Sequence, residues 1–103
     1  MFGDMMSKLK DAQKTMEETK KRLDTIYVDA EAENGKVKVT ANGNKKIKDI
    51  VISEELLKEN DKQALEDILV VAVNRALEKA EKVSEAEMQG IAKGILPNFP
   101  GLF

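Results

Sequence analysis

Residues 26–41 read IYVDAEAENGKVKVTA, and this stretch decides the fold. Apolar and polar residues alternate on both sides of Asn34-Gly35, a dipeptide typical of the two-residue turn of a β-hairpin. Such a turn places every apolar residue on one face and two opposite-charge pairs on the other. The predicted cross-strand pairs are Glu33–Lys36, Ala32–Val37, Glu31–Lys38, Ala30–Val39 and Asp29–Thr40.

A third strand is predicted over residues 45–52, after a second turn at Asn42-Gly43. The alternation slips inside this strand, because its isoleucines fall first at an odd position and then at even ones: Ile47, Ile50 and Ile52. One extra residue would return all three to the same face of the sheet. The sequence therefore predicts a β-bulge near Lys48-Asp49.

Residues 1–25 carry a heptad pattern that predicts one helix from Phe2 to about Leu23. Seven of the eight pattern positions are apolar, and they are Phe2, Met5, Leu9, Ala12, Met16, Thr19, Leu23 and Ile26. A helix of this size is about 33 Å long, so the rest of a small domain is too short to cover its seam. The pattern predicts self-association, with this helix of each subunit against the other.

After the sheet, Ser53 fits an N-cap and residues 54–58 predict one short helical turn. Helical spacing then continues over residues 60–93, with Asn60 or Asp61 as the cap. Part of this long helix is apolar on all sides, so it needs the sheet on one side and a second subunit on the other. The residues predicted to form the dimer interface are Leu9, Met16, Leu23, Val70, Val71 and Ala72.

These elements predict an α+β fold in the order α-β-β-β-α, with the 103 residues forming a single domain over residues 1–103. Its parts are a heptad helix (1–25), an antiparallel sheet (26–53), a long helix (60–93) and an apolar tail (94–103). The tail, GILPNFPGLF, has no charged side chain, two prolines and two phenylalanines. It either folds back onto an apolar groove or waits for a partner.

Composition narrows the possible functions. The chain has no His and no Cys, which removes the commonest general base, the thiolate nucleophile and the soft metal ligands. No catalytic pattern, Gly-rich phosphate loop or metal-ligand spacing is recognisable, so we expect no enzyme activity and no cofactor. The first residues lack the apolar core of a signal peptide, and the longest apolar run is too short to span a bilayer. We expect a soluble, cytoplasmic protein.

The formal net charge of −2 hides an uneven distribution, with net +2 over residues 1–23 and net −5 over residues 54–89. Some lysines have predicted carboxylate partners: Lys36 and Lys38 face Glu33 and Glu31 in the hairpin, and Lys14–Glu18 and Glu17–Lys21 have helical i,i+4 spacing. In a dimer, every remaining cluster occurs twice and can bind phosphates. The candidate DNA-binding residues are Lys10, Lys14, Lys20, Lys21, Arg22, Lys45, Lys46 and Lys48.

The order of these elements and several short segments resemble the YbaB/EbfC family of small bacterial nucleoid-associated proteins. The segments are GKVKVTANG (35–43), I-x-I-S-x-E-L-L (50–57), D-K-x-x-L-E-D-I-L-V-x-A-x-N-x-A (61–76) and G-I-L-P-N-F-P-G (94–101). The resemblance covers essentially the whole chain. It implies a homodimer with protruding helices that binds double-stranded DNA with little sequence preference, alters its conformation, and acts in nucleoid organisation and gene expression.

An alternative function remains open at this point. A dimeric protein-interaction module would use the helix ends and the apolar tail to dock a protein partner, and its DNA binding would be incidental. Neither reading includes a membrane or a small-molecule substrate as a partner.

Overall fold

The computed structural model describes residues 2–95, with side chains through Ala92, and shows the predicted α-β-β-β-α order. Its elements are α1 (Phe2–Leu23), β1 (Tyr27–Ala32), β2 (Val37–Asn42), β3 (Ile47–Ile52), α2 (Glu54–Lys58) and α3 (Lys62–Ile95). Asp61 caps α3 by accepting a 3.1 Å hydrogen bond from the backbone N–H of Ala64. The predicted tail lies outside the described residues from position 96 onwards.

The hairpin of β1 and β2 has the predicted register from Asp29–Thr40 to Ala32–Val37, which confirms the reading of its alternation. Asn34 and Gly35 have positive φ values of 55° and 84°, as the favoured hairpin turn requires. Glu33 also has a positive φ, 53°, so Glu33 and Lys36 are not a ladder pair as predicted. Instead, the backbone N–H of Lys36 donates to the Glu33 carbonyl and closes the turn.

The predicted bulge in β3 is confirmed. Thr40 pairs with Asp49 and Ala41 pairs with Ile47, so Lys48 is the extra residue. The strand order is β1-β2-β3, all antiparallel. The bulge brings the three isoleucines of β3 to the face that carries the apolar residues of the hairpin.

The core lies between this face of the sheet and α3. Ala72, Ala76 and Ala80 have no exposed surface, and small side chains at this spacing let the helix approach the strands closely. Opposite them lie the buried side chains of β1 and β2: Ala30, Ala32, Val37, Val39 and Ala41. The prediction of Ala72 as a dimer contact is therefore wrong, because its own sheet already covers it.

At the outer edge of β1, two cations of α3 bind backbone carbonyls. Arg75 Nη1 donates to the Glu31 oxygen at 2.9 Å, and Lys79 Nζ donates to the Asp29 oxygen at 2.6 Å. The helix consequently lies over β1 and β2 and covers β3 little. Ile47 and Ile50 stay 37% and 43% exposed, although they share a face with the core.

The helix α1 is attached to this body by its last turn. Leu23 is fully buried and lies against Gly43, so the prediction of Leu23 as a dimer contact is also wrong. Most of the remaining α1 residues are exposed to solvent. The molecule is accordingly elongated, with extents of 67 × 27 × 17 Å.

Candidate nucleic-acid interface

The predicted DNA-binding residues of α1 are exposed at regular intervals along the helix. Within residues 2–95, Lys10, Lys14, Lys20 and Lys21 form no ion pair. The expected pairs Lys14–Glu18 and Glu17–Lys21 do not form in the described part of the chain, because these exposed side chains extend into solvent. Lys14 and Lys21 are therefore not neutralised by the carboxylates that their sequence spacing predicts.

The loop between β2 and β3 is tied to the C-terminal end of α1 through Asn44. Its amide nitrogen donates to the Lys20 carbonyl at 2.8 Å and to the Asp24 carboxylate at 2.5 Å. The backbone N–H of Gly43 also donates to the carbonyls of Leu23 and Ile26, at 3.0 and 2.9 Å. These bonds hold two lysine-bearing segments together that are separate in the sequence.

The loop itself is shaped by Asn42, which is only 2% exposed. Its Oδ1 atom accepts hydrogen bonds from the backbone N–H groups of Asn44 and Lys46, at 3.0 and 3.1 Å. Lys45 takes a positive φ of 63° to complete the turn. The fixed loop holds its lysine side chains in solvent.

The two joined segments and the start of β3 carry four cations at this end of the sheet: Lys20, Lys21, Lys46 and Lys48, which we call the basic corner. All four are exposed, and none forms an ion pair with another described residue. Backbone phosphates bind such unneutralised cations by charge and without reading bases.

Two neighbouring cations have carboxylate partners that the sequence did not predict. Lys45 Nζ lies 3.5 Å from the Glu81 carboxylate, and Arg22 forms an ion pair with Glu87. Both carboxylates come from α3, whose path beside α1 was not foreseeable from the sequence. The prediction of Lys45 as a cation without a carboxylate partner is therefore wrong.

Comparison with known proteins decides the family. The family model described as the YbaB/EbfC DNA-binding family matches residues 1–95. This chain belongs to the YbaB/EbfC family. A nucleoid-associated protein of Flavobacterium johnsoniae is 45% identical over 98 residues, covering 95% of this chain and 91% of the relative. A nucleoid-associated protein of Thermoanaerobacter pseudethanolicus is 40% identical over 98 residues, covering 92% and 86%.

The fold of this YbaB/EbfC chain also matches a solved structure. The crystal structure of an uncharacterized protein from Helicobacter pylori superposes with a TM-score of 0.75 and covers 93% of this chain and 97% of the other. Their sequence identity is 22%, so the likeness concerns the fold alone.

Two hairpin lysines of the YbaB/EbfC chain have carboxylate partners. Lys38 lies 3.8 Å from Glu31 as predicted, whereas Lys36 pairs with Glu55 of α2 at 3.5 Å instead of with Glu33. The left-handed backbone at Glu33 removes it from the ladder position opposite Lys36. Both lysines thus have carboxylate partners, unlike the four lysines of the basic corner.

None of the helices within residues 2–95 combines the length and apolarity that crossing a bilayer needs.

Asn44 offers a test of how the YbaB/EbfC fold holds the basic corner together. We expect Asn44→Ala to lower the free energy of unfolding by about 1–2 kcal/mol, because it removes two side-chain hydrogen bonds, one to a carboxylate. Gln89→Ala, at an exposed position within α3, is the matched control and should leave stability unchanged or slightly higher. Urea unfolding followed by circular dichroism measures both. Equal stability of the two variants would contradict the tethering role of Asn44.

Proposed function

We propose that this protein is a non-enzymatic, nucleoid-associated protein that binds double-stranded DNA through backbone phosphates with little sequence specificity. The observation that carries the proposal is the basic corner, whose four exposed lysines have no described carboxylate partner and belong to two segments that Asn44 fastens together. Membership of a DNA-binding family and the names of the relatives support it. We infer that it acts at the nucleoid in the cytoplasm, alters DNA conformation and thereby influences gene expression.

Phosphate contacts fit these side chains better than base readout does. Bidentate recognition of bases relies chiefly on the planar Arg, Asn and Gln side chains, and the asparagines nearest the basic corner, Asn42 and Asn44, already bind the protein itself. Arg22 is held by Glu87. Lysines on flexible stems neutralise phosphates equally well on any sequence.

A gel-shift titration on several unrelated duplexes tests DNA binding directly. We expect similar affinities on all of them and a steep fall with salt, with a logarithmic slope of roughly −0.9 for each phosphate contacted. Absence of a shift on every duplex at low salt would contradict DNA binding and favour the protein-interaction alternative. A strong preference for one duplex would contradict the phosphate-directed mode.

We also propose that the protein acts as a homodimer. The support is apolar surface that a single chain leaves open beside α3: Ile47, Ile50, Val70 and Val71, with 37%, 43%, 60% and 42% exposure. Exposed apolar groups of this size gain free energy when a second copy covers them. A twofold dimer would also double the number of basic corners that one DNA molecule meets.

Light scattering tests the homodimer. We expect the mass in solution to be twice that of the 11.5 kDa chain at micromolar concentration. Val70→Lys should raise the dimer dissociation constant about tenfold by placing a charge in the interface. Lys62→Ala, at an exposed position near the start of the same helix, is the control. A mass of one chain for the unaltered protein would overturn the proposal.

A further inference from the structure

An exposed apolar stripe runs along the free part of α1. It consists of Phe2, Met5, Leu9 and Met16, which are 83%, 64%, 58% and 39% exposed. The heptad spacing places them on one side of the helix. The adjacent flank of α1, which includes the heptad positions Ala12 and Thr19, faces α3 and is more polar. With α3 it lines an open cleft, to which α1 also contributes Lys8, Asp11, Thr15 and Arg22. Within the described residues, the stripe therefore has no cover.

The helices α1 and α3 run in opposite directions beside this cleft. Along its length α3 passes Glu31, then Asp29, and then reaches Arg22 of α1 through Glu87. The helix α3 thus extends past the sheet at the end where α1 is attached. The length of the molecule, 67 Å, exceeds the roughly 51 Å of α3 alone, because α1 extends farther out.

Measured along the two helix axes, the last described residue, Ile95, lies level with the stripe. From the Arg22–Glu87 ion pair, Leu9 lies about 20 Å outward along α1 and Ile95 about 12 Å outward along α3, at 1.5 Å per residue. The segment 96–103 continues from that point. Its eight residues reach up to about 26 Å when extended, well beyond the roughly 8 Å of axial distance from Ile95 to Leu9.

The chemistry of segment 96–103, LPNFPGLF, matches the stripe. Two leucines and two phenylalanines supply large apolar groups, and no charged side chain opposes their burial. Pro97 and Pro100 disfavour helix and narrow the backbone conformations, which reduces the entropy lost on docking. Asn98 is the one polar side chain of the segment.

We propose that residues 96–103 fold back onto the α1 stripe of the same chain, with Phe99 against Leu9. The tail then covers the apolar side of α1 and supplies the packing that α3 is too short to provide. The lysines Lys10, Lys14 and Lys21 lie on the opposite side of α1, so docking leaves them open to solvent.

The natural absence of cysteine makes a thiol-accessibility experiment direct. We expect the thiol of Leu9→Cys to react with a maleimide roughly tenfold slower in the full chain than in a chain ending at residue 95, since a tail docked about nine-tenths of the time exposes it one-tenth of the time. Ser7→Cys is the matched control, because two residues along a helix lie on nearly opposite sides. Its rate should not change with the deletion. Equal rates for Leu9→Cys in both chains would overturn the proposal.

The double variant Leu9→Cys/Phe99→Cys distinguishes the possible occupants. We expect oxidation to give a disulfide within one chain, which migrates as a monomer on a non-reducing gel. A disulfide between two chains would mean that a second copy covers the stripe, and it would overturn docking within the chain. A covalent dimer of the single variant Leu9→Cys would likewise overturn docking within the chain. DNA affinity should be unchanged by removal of the tail.

Discussion

Gly43→Ala should lower the free energy of unfolding by about 2–3 kcal/mol. A Cβ atom at this position would lie 2.7 Å from Leu23 Cδ2 and 3.0 Å from the Leu23 carbonyl oxygen. Leu23 is fully buried, and its carbonyl is held by two backbone N–H groups, so neither atom has room to move. Urea unfolding at a fixed chain concentration measures the loss.

Gly90→Ala is the control for this prediction, because a Cβ atom there meets nothing within 4 Å. Within a helix this change should raise stability by roughly 0.5–1 kcal/mol. The two glycine variants are therefore expected to differ in sign. If Gly43→Ala proves as stable as the natural protein, the contact between α1 and the β2–β3 loop is less tightly packed than the distances indicate.

Lys20→Gln combined with Lys46→Gln should weaken DNA binding roughly 50-fold to 100-fold at about 0.1 M salt for each basic corner that contacts the duplex, if each lysine neutralises one phosphate. The logarithmic salt slope should become less steep by about 1 for each lysine removed. The two residues come from the two segments that Asn44 joins, so the effect depends on the whole basic corner. Gel shifts over a range of salt concentrations give both quantities.

Lys36→Gln combined with Lys38→Gln removes the same charge and is the matched control. Both lysines already lie near carboxylates, and at this salt concentration distant charges are largely screened. We expect a change in affinity of less than about threefold. Similar losses in both double variants would show that net charge, rather than the basic corner, governs binding.

Most of the fold could be predicted from the sequence because its signals are local. The Asn34-Gly35 turn, the slip of alternation at Lys48 and the heptad of α1 each involve residues close together in the chain. The assignment of interface residues was less successful. A pattern identifies Leu23 and Ala72 as apolar, but it does not tell whether the same chain or a second copy buries them.

The basic corner depends on contacts that no local pattern contains. Asn44 binds Lys20 across 24 residues, Lys45 meets Glu81 across 36, and Arg22 meets Glu87 across 65. These contacts decide which cations stay free. The Asn42-Gly43 dipeptide was a signal of a tight turn. It gave no indication that the turn would bind to the end of a helix.

The attachment of α1 through its last turn makes this helix a lever. Leu23 and Gly43 form the pivot, and the opposite end of the helix lies about 32 Å away. A tilt of only about 10° at the pivot would displace that end by about 6 Å, nearly the rise of four helical residues. In a homodimer two such levers would set the gap available to a duplex. Packing at one glycine would therefore tune the spacing of charges far from it.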